Sequence, residues 1–89
     1  MTAISAQISL YPLRTPHLSS AIDAALADFR ASGLQVEPGS MSSVVTGDID
    51  RVFNALRVVL QRAIDDGEVV MLATFSNACP VTRAGRRRD

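Results

Sequence analysis

The chain has 89 residues, of which 47% are apolar, so it requires a folded core and is not a disordered chain. Nine basic and nine acidic residues give a formal net charge of zero, which removes the basic field expected of a nucleic-acid-binding protein. A domain of this size buries only about 60–65% of its unfolded surface, so we expect it to gain stability by associating.

Cysteine content and hydropathy indicate the cellular setting. The single cysteine, Cys79, cannot form an intramolecular disulfide or complete a CxxC motif, which fits a cytoplasmic protein. The first residues have neither a basic start nor an apolar block, so we expect no secretory signal. No stretch approaches about 18 consecutive apolar residues, so we expect no membrane insertion.

The first third of the chain predicts a strand and a helix. Residues 4–11 alternate between apolar and polar side chains, which is typical of a strand with one buried face. Thr15 and Pro16 are a typical helix start, and apolar residues then recur every three or four positions as far as Phe29. With Gly33 as the C-terminal stop, this pattern predicts a helix over residues 16–32.

The rest of the chain predicts two short strands, a helix and a final strand. Residues 34–37 and 41–46 are predicted to pair through a type II turn with Pro38 and Gly39 at its centre. Asp48 is the predicted N-cap of a helix that ends at Gly67, and residues 68–76 form the last strand. The apolar stripe of this helix consists of Ile49, Val52, Phe53, Leu56, Val59, Leu60, Ala63 and Ile64.

This order of elements predicts an α+β, ferredoxin-like βαββαβ fold, with two helices on one face of a four-stranded antiparallel sheet. The open face should carry Ser5, Gln7, Ser9 and Tyr11. The last strand should add either Val69, Met71, Ala73 and Phe75 or Val70, Leu72, Thr74 and Ser76. Both sets leave apolar surface exposed, so we expect a homodimer or homotetramer. We expect one domain over residues 1–80 and a disordered basic tail over residues 81–89.

No residue pattern predicts catalysis or a metal site. His17, the only histidine, lies at a helix start, and Cys79 has no base near it in sequence. An acylphosphatase-like enzyme would need a Gly-rich anion loop with a paired arginine, which the first turn lacks. With one tyrosine, three phenylalanines and no tryptophan, the chain also lacks stacking platforms for RNA. We therefore expect no enzyme, no cofactor, no metal and no nucleic-acid partner.

Three segments carry a resemblance to a known family. They are Ile-Ser-Leu-Tyr-Pro at residues 8–12, Met-Ser-Ser-Val-Val-Thr-Gly-Asp at 41–48, and Thr-Phe-Ser-Asn-Ala-Cys-Pro at 74–80. In this order and on this topology, residues 4–80 resemble the YkoF-type family of thiamine- and hydroxymethylpyrimidine-binding proteins. Ser43 stands where we expect threonine, and Ala78 where the family tends to glycine.

The resemblance implies a non-enzymatic binder of thiamine or of its hydroxymethylpyrimidine moiety, acting in vitamin uptake or salvage. YkoF-type chains carry two ferredoxin-like units, so the resemblance also implies that a second subunit supplies the second unit.

An aminopyrimidine presents ring-nitrogen acceptors and an amine donor, which hydroxyl and amide side chains match, and aromatic side chains could stack on its ring. The candidate ligand-binding residues are Ser9, Tyr11, Ser42, Ser43, Thr46, Phe75 and Asn77. Glu37 or Asp48 could balance the positive charge of the thiazolium ring. The alternative is that these residues complete strands and caps, and that the chain is a structural or regulatory interaction module without a small-molecule ligand.

Overall fold

The computed structural model describes residues 2–14, 16, 18–39 and 42–78. The predicted tail, Cys79 and His17 lie outside the described residues. The elements are β1 (Ala3–Pro12), α1 (Leu18–Ala31), β2 (Gln35–Pro38), β3 (Ser43–Asp48), α2 (Ile49–Asp66) and β4 (Val69–Ser76). The strands form one antiparallel sheet in the order β2-β3-β1-β4, and both helices pack against it. The predicted α+β, ferredoxin-like fold is confirmed.

β1 lies inside the sheet, between β3 and β4, and its alternating sequence separates the two faces. Ile4, Ala6 and Ile8 are buried beneath the helices. Because successive strand residues point to opposite faces, the polar residues between them lie on the open face. These are Ser5, Gln7, Ser9 and Tyr11, as predicted.

The pairing of β4 with β1 decides which of its residues face the helices. Ile8 pairs with Ala73 and Ser9 with Leu72, and directly opposed residues of antiparallel strands share a face. Met71, Ala73 and Phe75 therefore face the helix layer. The open face carries the second of the two predicted sets, which is Val70, Leu72, Thr74 and Ser76.

The hairpin between β2 and β3 differs from its prediction. Pro38 still pairs with Ser43, and the Gly39 N–H donates to the Ser42 carbonyl at 2.8 Å. The predicted type II turn centred on Pro38 and Gly39 is therefore wrong, because Pro38 belongs to the strand ladder and Gly39 is hydrogen-bonded across the hairpin. Residues 40 and 41, between Gly39 and Ser42, lie outside the described residues.

The ends of both helices follow simple local chemistry. α1 ends before Gly33, whose φ of 82° is a left-handed conformation that glycine adopts without strain. The predicted start at Pro16 is two residues early, since α1 begins at Leu18. Asp48 caps α2 as predicted, because its carboxylate accepts from the Asp50 N–H at 3.2 Å. Neither helix in the described part of the chain is long and apolar enough to cross a membrane.

Candidate functional site

The β2–β3 hairpin stops short of the end of β1 and leaves a notch in the sheet. The last pair between β3 and β1 is Ser43 with Ile8, whereas β1 continues to Pro12 with β4 as its neighbour. Along residues 9–12, the side of β1 that faces away from β4 has no strand neighbour among the described residues. Backbone N–H and C=O groups pointing to that side have no ladder partner there.

A cavity of about 250 Å³ lies at this notch, between the sheet and α1. Its wall on the helix side is apolar and is formed by Leu18, Ile22, Ala25, Leu26 and Phe29. Gly39, Ser42 and Ser43 line it at the end of the hairpin. The site therefore combines an apolar surface for a flat ring with polar groups at one edge, which is the usual composition of a small-molecule pocket.

Ser43 is the polar exception on the inner face of β3. Val45, two residues on and on the same face, is fully buried. Ser43 pairs with Ile8, so its side chain lies on the helix side of the sheet, where it lines the cavity. Its hydroxyl makes no hydrogen bond to another described residue. It is therefore available both to donate to and to accept from a ligand.

Ser42 is tied to the open face of the sheet. Its hydroxyl accepts from the Gln7 side-chain amide at 3.0 Å, and its carbonyl accepts from Gly39. A hydroxyl has one donor and two acceptor positions, so Ser42 keeps its donor for another group.

Tyr11, an open-face position of β1, also borders the cavity. Three of the seven predicted residues, Tyr11, Ser42 and Ser43, are thus brought together.

Ser9 and Thr46 lie on the open face and do not border the cavity. The Thr46 hydroxyl is 3.2 Å from the Ser5 hydroxyl on the neighbouring strand, and either group could be the donor. This pair stabilises the contact between β1 and β3. Thr46 therefore fits the alternative that the candidate residues complete strands.

Phe75 and Asn77 lie at the other end of the sheet. Phe75 pairs with Ala6, which is five residues from Tyr11 along β1, or about 17 Å at the usual rise of a strand. Its ring faces the helix layer and stacks on Phe53, with 4.8 Å between ring centroids and 19° between ring planes. Tyr11 and Phe75 of one chain therefore do not contact the same ligand ring. Asn77 follows the end of β4 and is exposed.

The two acidic candidates also lie away from the cavity. The Asp48 carboxylate accepts from the backbone N–H of Asp50 and, at 3.3 Å, from that of Thr2, so it is engaged at the start of α2. Glu37 pairs with Val44 in the β2–β3 ladder, at an open-face position. Neither residue lines the cavity.

Sequence reasoning missed the apolar wall. The spacing of apolar residues in α1 predicts a core-facing side, but it does not identify Ile22 and Leu26 as residues that line a cavity. The helical period is the same for a side chain that contacts the core and for one that lines a cavity beside it, so periodicity alone does not separate the two. The cavity could be predicted only from the length of the β2–β3 hairpin relative to β1. The sequence indicates that length only through its turn residues.

A larger cavity of about 450 Å³ lies between the two helices, near the end of β1. Ala21, Ala24 and Ala63 line it, and none of the seven predicted residues does. Among the described residues, no group of three or more His, Cys, Asp or Glu side chains is placed to hold a metal ion. We therefore take the cavity beside Ser43 as the candidate site.

A family model described as the YKOF-related family matches residues 3–82 of the chain. The chain belongs to this family. The match confirms the resemblance drawn from the three sequence segments.

One relative of this YkoF-family chain is the protein named "Putative HMP/thiamine-binding protein YkoF" from Bacillus subtilis (strain 168), where HMP is hydroxymethylpyrimidine. The two are 36% identical over 75 residues, which make up 83% of this chain and 37% of the relative. The chain therefore spans little more than a third of the length of that protein.

Two solved structures share the fold. A hypothetical protein from Methanocaldococcus jannascii has a TM-score of 0.79 at 26% identity, covering 85% of this chain and 80% of the other. A protein from Thermotoga maritima, named "putative thiamine biosynthesis/salvage protein", has a TM-score of 0.73 at 16% identity, covering 82% and 81%. At 16% identity, the similarity to the Thermotoga maritima protein shows only that the two share a fold.

Proposed function

We propose that this chain binds the hydroxymethylpyrimidine ring, free or as part of thiamine, in the cavity between the sheet and α1. The observation that carries the proposal is the Ser43 hydroxyl, which has no hydrogen-bond partner among the described residues and lines an otherwise largely apolar cavity. Membership of the YkoF-related family and the printed name of the 36% identical relative support this ligand class.

The size of the cavity favours the pyrimidine ring over the whole vitamin. At about 250 Å³ it falls below the range of about 300–1,000 Å³ typical of drug-sized ligands, so one substituted ring is the better fit. The apolar wall of α1 would pack on the ring face. Ser43 and the backbone groups of β1 that have no strand neighbour among the described residues would match its nitrogen atoms and amine. Since neither Glu37 nor Asp48 lines the cavity, the thiazolium ring of thiamine would lie outside it.

We further propose that binding has no catalytic step and serves vitamin uptake or salvage. In the described part of the chain, the residues lining the cavity include no nucleophile paired with a base. The cytoplasmic location, predicted from the single cysteine, stays a prediction.

A second candidate function is that of an interaction module, and exposed apolar side chains on the open face favour it. Tyr11, Val70 and Leu72 are 44%, 45% and 58% exposed. Such a surface is typical of a face that binds protein, so we also propose that the chain forms a homodimer or homotetramer. Binding of hydroxymethylpyrimidine would favour the first function, and its absence the second.

Replacing Ser43 by alanine is expected to weaken hydroxymethylpyrimidine binding about five- to 150-fold. The variant leaves a polar atom of the enclosed ring without a partner, which costs about 1–3 kcal/mol. Calorimetric titration with hydroxymethylpyrimidine, thiamine and the isolated thiazole moiety measures this, with the isolated thiazole expected not to bind. Thermal shift gives a second readout, because a ligand that binds only the folded state raises its stability.

Ser9→Ala is the matched control, since it removes a hydroxyl from the open face. We expect it to bind like the unsubstituted chain. Loss of binding in Ser9→Ala but not in Ser43→Ala would place the site on the open face instead. No heat and no thermal shift with millimolar hydroxymethylpyrimidine or thiamine would contradict ligand binding itself.

A further inference from the structure

The space between α1 and α2 holds two adjoining cavities. The larger, of about 450 Å³, lies near the end of β1, and a smaller one of about 90 Å³ continues it toward Asp28. We call the two together the interhelix groove. The residues that line both are Ala21, Ala24, Ala63 and Asp66.

Alanine side chains leave this space open because they are too short to fill it. Ala21 and Ala24 are three residues apart and share a side of α1, and Ala63 lines the groove from α2. At about 100° per residue, Ala24 lies about 160° around α1 from Ile22, which lines the cavity beside Ser43. The groove is therefore a separate space with room and apolar lining for a short hydrocarbon chain.

Asp28 places a buried carboxylate oxygen in the groove without a hydrogen bond. Its side chain is 18% exposed, and its Oδ2 atom is buried and accepts no hydrogen bond from a described residue. The Arg62 Nε lies 3.1 Å from this oxygen and forms an ion pair with it, but the N–H is not directed at it. Buried polar atoms are normally hydrogen-bonded, so this oxygen marks a place for a donor.

The groove also has an excess of negative charge. The Asp66 carboxylate has no ion pair or hydrogen bond with any residue that the structure describes. Glu68, which also lines the groove, is paired with Arg14. With Arg62 beside Asp28, Asp66 is the carboxylate left without a cation. Because Asp66 lies at the C-terminal end of α2, the helix dipole adds further negative charge there.

We propose that the interhelix groove is a second ligand site, for a small organic cation that carries N–H donors on a short hydrocarbon chain. A primary ammonium or a guanidinium group has this chemistry. Its N–H groups would donate to the carboxylates of Asp28 and Asp66, and its chain would lie on the alanines. Mg²⁺ or Ca²⁺ fits less well, since these ions take about six to eight oxygen ligands. The site does not depend on hydroxymethylpyrimidine binding.

Titration followed by the backbone amide signals in NMR tests the site and locates it. The probes are n-butylammonium and n-butylguanidinium at constant ionic strength. We expect both to shift the signals of residues 20–28 and 62–68 and to saturate at millimolar concentration, as is usual for ligands of so few atoms. 1-Butanol has the same chain without the charge, and butyltrimethylammonium has the charge without an N–H. Both are expected to bind at least about tenfold more weakly.

Substitution of the two carboxylates should weaken binding of both cations. Asp28→Asn and Asp66→Asn each remove one charge-assisted hydrogen bond, so we expect a loss of at least about tenfold in affinity. Asp65→Asn is the matched control, because it removes the same charge from the neighbouring residue, which lines neither cavity. It should bind both cations like the unsubstituted chain.

Filling the groove should abolish binding while both carboxylates remain. Ala24→Leu does this at an exposed position of α1, and leucine is a good helix former. Ala27→Leu, at an exposed position that does not line the groove, should leave binding unchanged. Ile22→Trp, which fills the cavity beside Ser43, should also leave it unchanged. Failure of hydroxymethylpyrimidine binding and failure of this site are therefore distinguishable.

Three results would overturn the site. One is the absence of amide shifts near the groove with either cation. Another is that 1-butanol produces the same shifts at the same concentration, which would show an apolar groove without selectivity for cations. The third is equal weakening by Asp65→Asn and Asp66→Asn, which would show only a general attraction of cations to the acidic end of α2.

Discussion

Replacing Phe29 by alanine is expected to lower the free energy of unfolding by about 3–5 kcal/mol. Phe29 is 2% exposed and is one of the largest fully buried side chains, in the core between α1 and the sheet. Its truncation removes apolar contacts and enlarges the cavity that it already lines. Domains of this size have a total stability of about 5–15 kcal/mol, so the melting temperature should fall by at least about 10 °C.

The other two phenylalanines are the matched controls. Phe53 and Phe75 stack on each other but are 49% and 42% exposed, so we expect Phe53→Ala and Phe75→Ala to cost less than half as much as Phe29→Ala. Urea denaturation at one fixed protein concentration measures all three. Equal losses of unfolding free energy in the three variants would contradict the greater burial of Phe29.

Element order was predictable because local signals and hydropathy agree along most of the chain. The alternation of residues 4–11, Gly33 after α1 and Asp48 before α2 each correspond to an observed structural feature. The hairpin was misplaced by two residues at β3, which begins at Ser43 instead of residue 41. Pro38 and Gly39 are typical of a type II turn, but in the structure Pro38 pairs with Ser43 as part of the strand ladder.

The orientation of β4 was not predictable from its own sequence. Val69, Val70, Met71 and Leu72 are consecutive apolar residues with no period, so hydropathy assigns none of them to a face. Only the register with β1, in which Leu72 pairs with Ser9, places Leu72 on the open face. The same ambiguity affects Phe53, whose spacing matches the buried side of α2 although half of it is exposed.

The spread of the predicted site residues follows from the antiparallel topology. Because β1 and β4 run in opposite directions, the end of β4 lies beside the start of β1. Phe75 and Asn77 are therefore remote from Tyr11, a consequence that the predicted fold already contained. The cavity itself depends on the relative lengths of β1 and the hairpin, which local sequence patterns do not report.

Replacing Ile22 by tryptophan is expected to abolish ligand binding without loss of stability. Ile22 lines the cavity from the middle of its α1 wall, where a larger ring would occupy the space proposed for the pyrimidine. Filling an existing cavity leaves stability unchanged or raises it, typically by about 0.5–2 kcal/mol. Affinity for hydroxymethylpyrimidine should fall at least about a hundredfold, the loss of about 2.8 kcal/mol or more of binding free energy.

The chain has no tryptophan of its own, so the introduced side chain also reports its surroundings by fluorescence. Tryptophan at position 22 should emit at shorter wavelength than in Ala27→Trp, the control on the exposed side of α1, because its ring would be enclosed by apolar groups. Ala27→Trp should bind hydroxymethylpyrimidine normally. If Ile22→Trp emits from an apolar environment and still binds the ligand at full affinity, the ring is bound elsewhere, and the Ser43 hydroxyl is not part of its site.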